Sequence, residues 1–209
     1  MGVIKCKICG ASLDITNDST VATCSYCGSN QPIPNLDSEK KTDLYDLADH
    51  HRRNNDFDKA KEIYEKILQE DITDSVAYWS IILCDYGITY VDDPRTGKKV
   101  LTVNRTQKKN VVFDENYKSA IKYSDEAQKK LYEEEARKID EVQKKILDIC
   151  AKEEPFDVFI CYKNSDENGN NTKDRDIGFK LYNEMTREGL KVFFACVTLE
   201  DKMGQEYEP

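Results

Sequence analysis

Four cysteines near the start of the chain carry its clearest chemistry. Cys6-Lys7-Ile8-Cys9 and Cys24-Ser25-Tyr26-Cys27 are two Cys-x-x-Cys pairs, each followed by a glycine, Gly10 and Gly28. Two residues between thiolates let one tight turn present both sulfurs to a single ion, and the glycine relieves strain where the turn bends away. Fourteen residues separate the pairs, enough for a small hairpin. Four sulfurs suit tetrahedral Zn²⁺ and fill its coordination sphere, which leaves no open position for catalysis. The doubled spacing favours one metal site over unrelated cysteines. It also disfavours a thioredoxin-like redox pair, because no βαβ pattern surrounds it. A segment this short lacks a core of its own, so the metal is expected to supply much of its folding energy.

Other reactive residue types are sparse. His50 and His51, the two histidines, are adjacent and point in different directions on a helix. Neither has a Cys or acidic partner at a diagnostic spacing, so both read as surface or core positions. Cys161 and Cys196 lie within apolar runs and read as small core residues. Glu208-Pro209 reads as the opening of a helix, because proline is favoured at the first helical position.

The elements that position these residues are set by composition and periodicity. The 209 residues carry a net charge of −9, which opposes binding to nucleic-acid phosphates. No apolar run approaches the ~20 residues of a membrane helix. The first 30 residues lack the apolar stretch of a secretion signal. Eight cysteines without an export signal imply a reducing, cytoplasmic setting and metal ligation rather than disulfides.

The proline-bearing stretch from Asn30 reads as a linker, with residues 35–42 joining the cysteine-rich head to a helical region. Residues 43–90 turn helical: Leu44, Leu47, Ala48 and His51 share one face. After the break at Asn54-Asn55-Asp56, Phe57, Ala60, Ile63, Tyr64, Ile67 and Leu68 share another, and Asp74–Gly87 opens a third helix. Residues 91–113 read as a β-hairpin insertion, with Val100, Leu101, Val103, Val111, Val112 and Phe113 favouring strands. Residues 114–154 return to helix. There Ile139, Val142, Ile146 and Ile149 form either a short coiled-coil seam or a face docked on the hairpin. From Pro155 an apolar strand, a helix with Ile177, Leu181 and Met185 on one face, and the second strand Leu190–Val197 spell a βαβ unit with a parallel sheet.

Three families are similar to these segments. Residues 1–34 resemble a zinc ribbon, and residues 43–90 resemble one tetratricopeptide unit, with Ala48 and Ala60 at its close-packing positions and Tyr64 at its aromatic one. Residues 155–209 resemble the start of a bacterial-type Toll/interleukin-1 receptor (TIR) domain. "FDVFICYKNSD" is similar to the family's first strand and loop, "EGLKVFF" to its helix end and second strand, and "LEDKMGQEYEP" to the entry to its next helix. The expected fold is thus multidomain α+β: a zinc ribbon, a tetratricopeptide-like helical middle with a β-hairpin insertion, and an incomplete flavodoxin-like α/β TIR domain. The resemblance covers less than half of a TIR domain, and implies that the natural chain continues past Pro209.

The TIR resemblance places Glu208 where NAD⁺-cleaving members carry their catalytic glutamate, with Glu206 its nearest rival. Tyr162, Lys163 and Asp166 follow the first strand, where open parallel sheets bind ligands, and are expected to line an NAD⁺ pocket. The resemblance implies a bacterial stress or antiphage effector that hydrolyses NAD⁺, works by self-association and answers a protein trigger bound by the N-terminal modules. The alternative is a non-catalytic TIR scaffold. Neither membrane nor nucleic acid is an expected partner.

Overall fold

The computed structural model describes residues 4–13, 15, 19–96, 99–152, 155–163, 167, 170 and 172–198. It is a mixed α+β chain, mostly helical, with three two-stranded sheets among the described residues. It divides into two units, Met1–Asp148 and Ile149–Pro209.

In the first unit, β1 (Val21–Thr23) and β2 (Asn30–Pro32) pair antiparallel, in the register Val21↔Pro32 to Thr23↔Asn30. The linker expected from Asn30 therefore begins later: Gln31 and Pro32 are buried in the strand. Three helices come next, α1 (Glu39–Arg53), α2 (Phe57–Glu70) and α3 (Ser75–Asp85). Ser38 caps α1 by accepting from the Lys41 N–H at 3.2 Å, and Asp74 caps α3 by accepting from the Ala77 N–H at 2.9 Å. Each such cap satisfies a donor the helix leaves open. Asn55, at φ 62°, turns the chain from α1 into α2. Ala48 and Ala60 are fully buried where the hairpin packs, beside Tyr45, Phe57, Ile63, Tyr64 and Ile67.

The buried face of α2 is the one its periodicity predicts; that of α1 is not. Lys41, Tyr45, Ala48, Asp49 and Arg52 are buried, whereas Leu47 is 49% exposed. Ion pairs and hydrogen bonds to neighbouring elements engage each polar member, and so they occupy positions that hydrophobicity alone assigns to leucine.

The hairpin is β3 (Ile88–Asp92) paired with β4 (Lys99–Val103), so it starts three residues before the expected Val91. Val111–Phe113 is a turn of 3₁₀ helix rather than strand. Its Val111 N–H donates to Asp140 Oδ1 at 2.9 Å, which leaves that backbone unavailable to a sheet. The helix α4 (Glu115–Tyr123) and the part of α5 (Glu126–Lys152) up to Asp148 complete the unit. Ile139 is fully buried with Ile88, Val103 and Trp79, and Val142 and Ile146 pack against that cluster, while Ile149 is exposed. The apolar face of α5 is thus docked on the hairpin.

The second unit holds β5 (Val158–Ile160), α6 (Lys173–Arg187), β6 (Val192–Phe194) and the single turn α7 (Ala195–Thr198). β5 and β6 are parallel, in the register Val158↔Val192 to Ile160↔Phe194. Of the face expected to carry Ile177, Leu181 and Met185, the first two are exposed and Met185 is half-buried. The helix seats Gly178 instead, where a Cβ would lie 2.8 Å from Phe194, and it flanks that ring with Phe179 and Tyr182. An aromatic ring this close to the helix axis leaves room for glycine alone and fixes which face turns inward. The second strand is shorter than expected, because Ala195 onward is helical.

Candidate metal centre

The two cysteine pairs fold as copies of one turn. The Cys6 N–H donates to Ala11 O at 2.7 Å and the Gly10 N–H to Cys6 O at 2.9 Å. In the second turn, the Cys24 N–H donates to Ser29 O and the Gly28 N–H to Cys24 O, both at 2.8 Å. Gly10 and Gly28 stand at φ 79° and 71°, the left-handed backbone that favours glycine. The strand pair β1–β2 and the bridge Lys5↔Ser12 bring the turns face to face.

The four sulfurs all lie within 4.8 Å of one another. Cys6 and Cys27 are 3.7 Å apart, and Cys9 and Cys24 3.6 Å. A tetrahedron with Zn–S bonds of ~2.3 Å has edges of about 3.8 Å, so the donor set matches that ion in number, softness and size. Cys6 and Cys24 are fully buried; Cys9 and Cys27 are half-buried. Burial and the neighbouring thiols push the Cys9 thiol up to about 12. Burial also acts against ionisation of Cys27, but the hydroxyl and backbone of Ser29 overcome it and bring that thiol to about 7. The Ser29 hydroxyl lies 2.9 Å from Cys27 Sγ, an outer contact of the kind that orients a metal ligand. The cluster can hold a metal ion.

Behind the first turn lies a polar socket that spacing along the sequence does not announce. Lys7, between Cys6 and Cys9, is buried: its N–H donates to Gln31 Oε1 at 2.7 Å and its carbonyl accepts from Arg52 Nη2 at 2.7 Å. Its ammonium donates to Ser80 Oγ at 3.3 Å and lies 5.1 Å from the centre of the Tyr45 ring. Asp49 and Asp74 supply compensating charge nearby, and Tyr64 and Tyr45 donate to them. Lys41 pairs with Asp71 and Asp74, both at 2.9 Å. One cue is present in the sequence: positions 45, 48, 49 and 52 of α1 have helical spacing, so Asp49 and Arg52 share the face of Tyr45 and Ala48.

Glu135 of α5 faces the same interior. Among the described residues, Gln31 Nε2 and Arg52 Nε are buried donors without a hydrogen-bonding partner, and both residues line a cavity of about 20 Å³ together with Trp79, Glu135, Lys7 and Tyr90. Burial raises the Glu135 carboxyl from 4.5 to about 7, against the pull of Lys138, Trp79, Arg52 and Tyr90. Between those two values the folded chain holds a proton that the unfolded chain has lost. Stability therefore falls as pH rises through that window, and the penalty is complete above about 7. Glu135→Gln is expected to stabilise the protein at about pH 8 by up to roughly 3 kcal/mol, and to give no gain below about pH 4. Chemical denaturation of both proteins at the two pH values checks this.

The residues expected to bind NAD⁺ divide. Tyr162 follows β5, and its hydroxyl lies 2.5 Å from Cys196 Sγ of α7, so the carboxyl ends of both parallel strands are joined there. Its ring lies 4.9 Å from that of Phe194. Lys163 is exposed, and its carbonyl accepts from the Thr172 hydroxyl. Cys161, expected in the core, is exposed because β5 ends at Ile160. Asp166, Glu206 and Glu208 lie outside the described residues.

No helix among the described residues is long and apolar enough to cross a membrane. Comparison with known protein families, characterised proteins and solved structures finds no match to this chain.

Proposed function

We propose that the chain belongs to a TIR-type effector that hydrolyses NAD⁺ at the nicotinamide–ribose bond, with a structural Zn²⁺ on Cys6, Cys9, Cys24 and Cys27. The observation that supports the enzymatic part is the parallel β5–α6–β6 unit, with Tyr162 and Cys196 meeting at the carboxyl ends of its strands. Open parallel sheets bind ligands at that end. In the reaction the C1′–N bond breaks and neutral nicotinamide leaves with the bonding pair. Water then forms the new bond at C1′ and releases a proton, giving ADP-ribose. Glu208 is assigned to steady the oxocarbenium character that develops on the sugar, as a carboxylate does in glycoside hydrolysis. Tyr162, Lys163 and Asp166 are assigned to the pocket. The ribbon and the helical unit gate the activity in answer to a protein trigger, in bacterial stress or antiphage defence.

A second reading, a non-catalytic TIR scaffold, draws on a different observation. Phe159 is 62% exposed and stacks on Phe193 at 4.0 Å, with Phe156 edge-on to both. An exposed aromatic face of this kind suits self-association. Turnover separates the readings: Glu208→Gln is expected to lower NAD⁺ consumption by at least about 100-fold. Unchanged turnover in that variant would remove Glu208 from the mechanism.

A further inference from the structure

Lys7 has an unusual place: it is one of two residues between metal ligands, and its side chain is buried among helices rather than in the ribbon. Its carbonyl is held from α1 by Arg52, 45 positions away, and its ammonium from α3 by Ser80, 73 positions away. Both contacts are buried, and Ser80 is itself anchored, donating to Val76 O at 2.7 Å. The ribbon has a small interior of its own: Cys6, Leu13, Ala22, Cys24 and Ile33 are its buried apolar residues, and two of them are ligands. A module with so little apolar burial depends on its ion for a defined fold.

We infer that Lys7 and Arg52 are positioning residues that couple metal occupancy to the packing of α1 and α3, so that the first cysteine turn acts as a metal-dependent plug in the helical array. With the ion bound, the turn is rigid, and Lys7 is presented to Arg52, Ser80 and Tyr45 at once. When the ion is withdrawn, the turn loses its constraint and Lys7 leaves its socket. Ser80 then keeps its bond to Val76 O but loses the ammonium it accepts from, and the buried Arg52 guanidinium loses its carbonyl acceptor, a costly state that loosens the helices around it. Because coupling between two sites is reciprocal, the helices must in turn strengthen metal binding. The inference rests on the metal reading above and is independent of NAD⁺ chemistry.

The experiment uses the whole chain and Zn²⁺ as the probe. Zinc stoichiometry and affinity are measured by competition with a chelator in the wild type, Arg52→Gln and Lys7→Ala. Amide exchange is followed before and after chelation. One zinc per chain is expected, with affinity about 10–100-fold weaker in both variants although neither residue is a ligand. Lys40→Ala, which breaks the exposed ion pair of Lys40 with Glu70, should stay within about twofold. Chelation of the wild type should speed exchange in α1 and α3 by at least about tenfold, and change the emission of Trp79, the sole tryptophan and the neighbour of Ser80. If the variants fail to fold, exchange in the wild type decides. Zinc bound normally, with α1 and α3 exchanging alike before and after chelation, would overturn the coupling and leave the metal centre standing. A chain that takes up no zinc would overturn both.

Discussion

Cys24→Ser is expected to reduce bound zinc from one ion per chain to nearly none and to unfold the ribbon. Cys24 is fully buried, its sulfur lies 3.6 Å from that of Cys9, and its backbone makes both hydrogen bonds that close the second turn. A serine hydroxyl keeps its proton at neutral pH and reaches less far, so the site keeps three donors and a misplaced fourth. Loss of an outer-shell partner alone weakens metal sites by about 10–100-fold, and loss of a direct ligand must exceed that. Binding energies of structural zinc are on the order of 10–16 kcal/mol, larger than the core of so small a segment can replace. Zinc content by elemental analysis and the exchange rates of β1 and β2 amides check the expectation. Tyr26→Ala serves as the control, because this neighbour of the second pair is 83% exposed and its removal should leave the zinc in place.

Trp79→Ala should produce the largest loss of stability in the helical unit, about 3–5 kcal/mol. The indole is 1% exposed, stacks on Tyr132 at 4.9 Å and meets Tyr117 edge-on at 6.4 Å. It joins the cluster that holds α3, α4, α5 and the hairpin strands together, with Ile82, Ile88, Val103, Ala136 and Ile139. Truncation leaves a cavity that relaxes only in part, since its walls come from several elements with different constraints. Thermal or urea unfolding followed by far-ultraviolet circular dichroism measures the change. A loss below about 1 kcal/mol would mean that this cluster packs differently from the structure described.

The features legible in the sequence share one property: short-range spacing determines them. The cysteine turns need only a Cys-x-x-Cys-Gly stretch, and the inner face of α2 needs only the 3.6-residue period. The inner face of α1 departs from its apolar pattern because its inward positions hold Lys41, Asp49 and Arg52, whose partners Asp74, Tyr64 and Lys7 are distant in sequence. Val111–Phe113 has strand-forming side chains, but Asp140 of α5 engages its first N–H and Asp114 caps the next helix at once. In α6, Ile177 and Leu181 have the spacing of an inner stripe, yet the Phe194 ring admits only the face bearing Gly178. Lys7 gives no local sign at all: a lysine inside a cysteine turn reads as solvated until the helix that receives it is in view. Each departure is a long-range polar or steric contact overriding a local preference.

The most direct test of the functional account is the release of nicotinamide from NAD⁺ by the intact natural protein, measured across a range of protein concentrations. The account predicts nicotinamide and an ADP-ribose product in equal amounts, with a rate that rises more steeply than protein concentration as chains associate. NAD⁺ that remains whole at every concentration, with zinc bound and the chain folded, would contradict it.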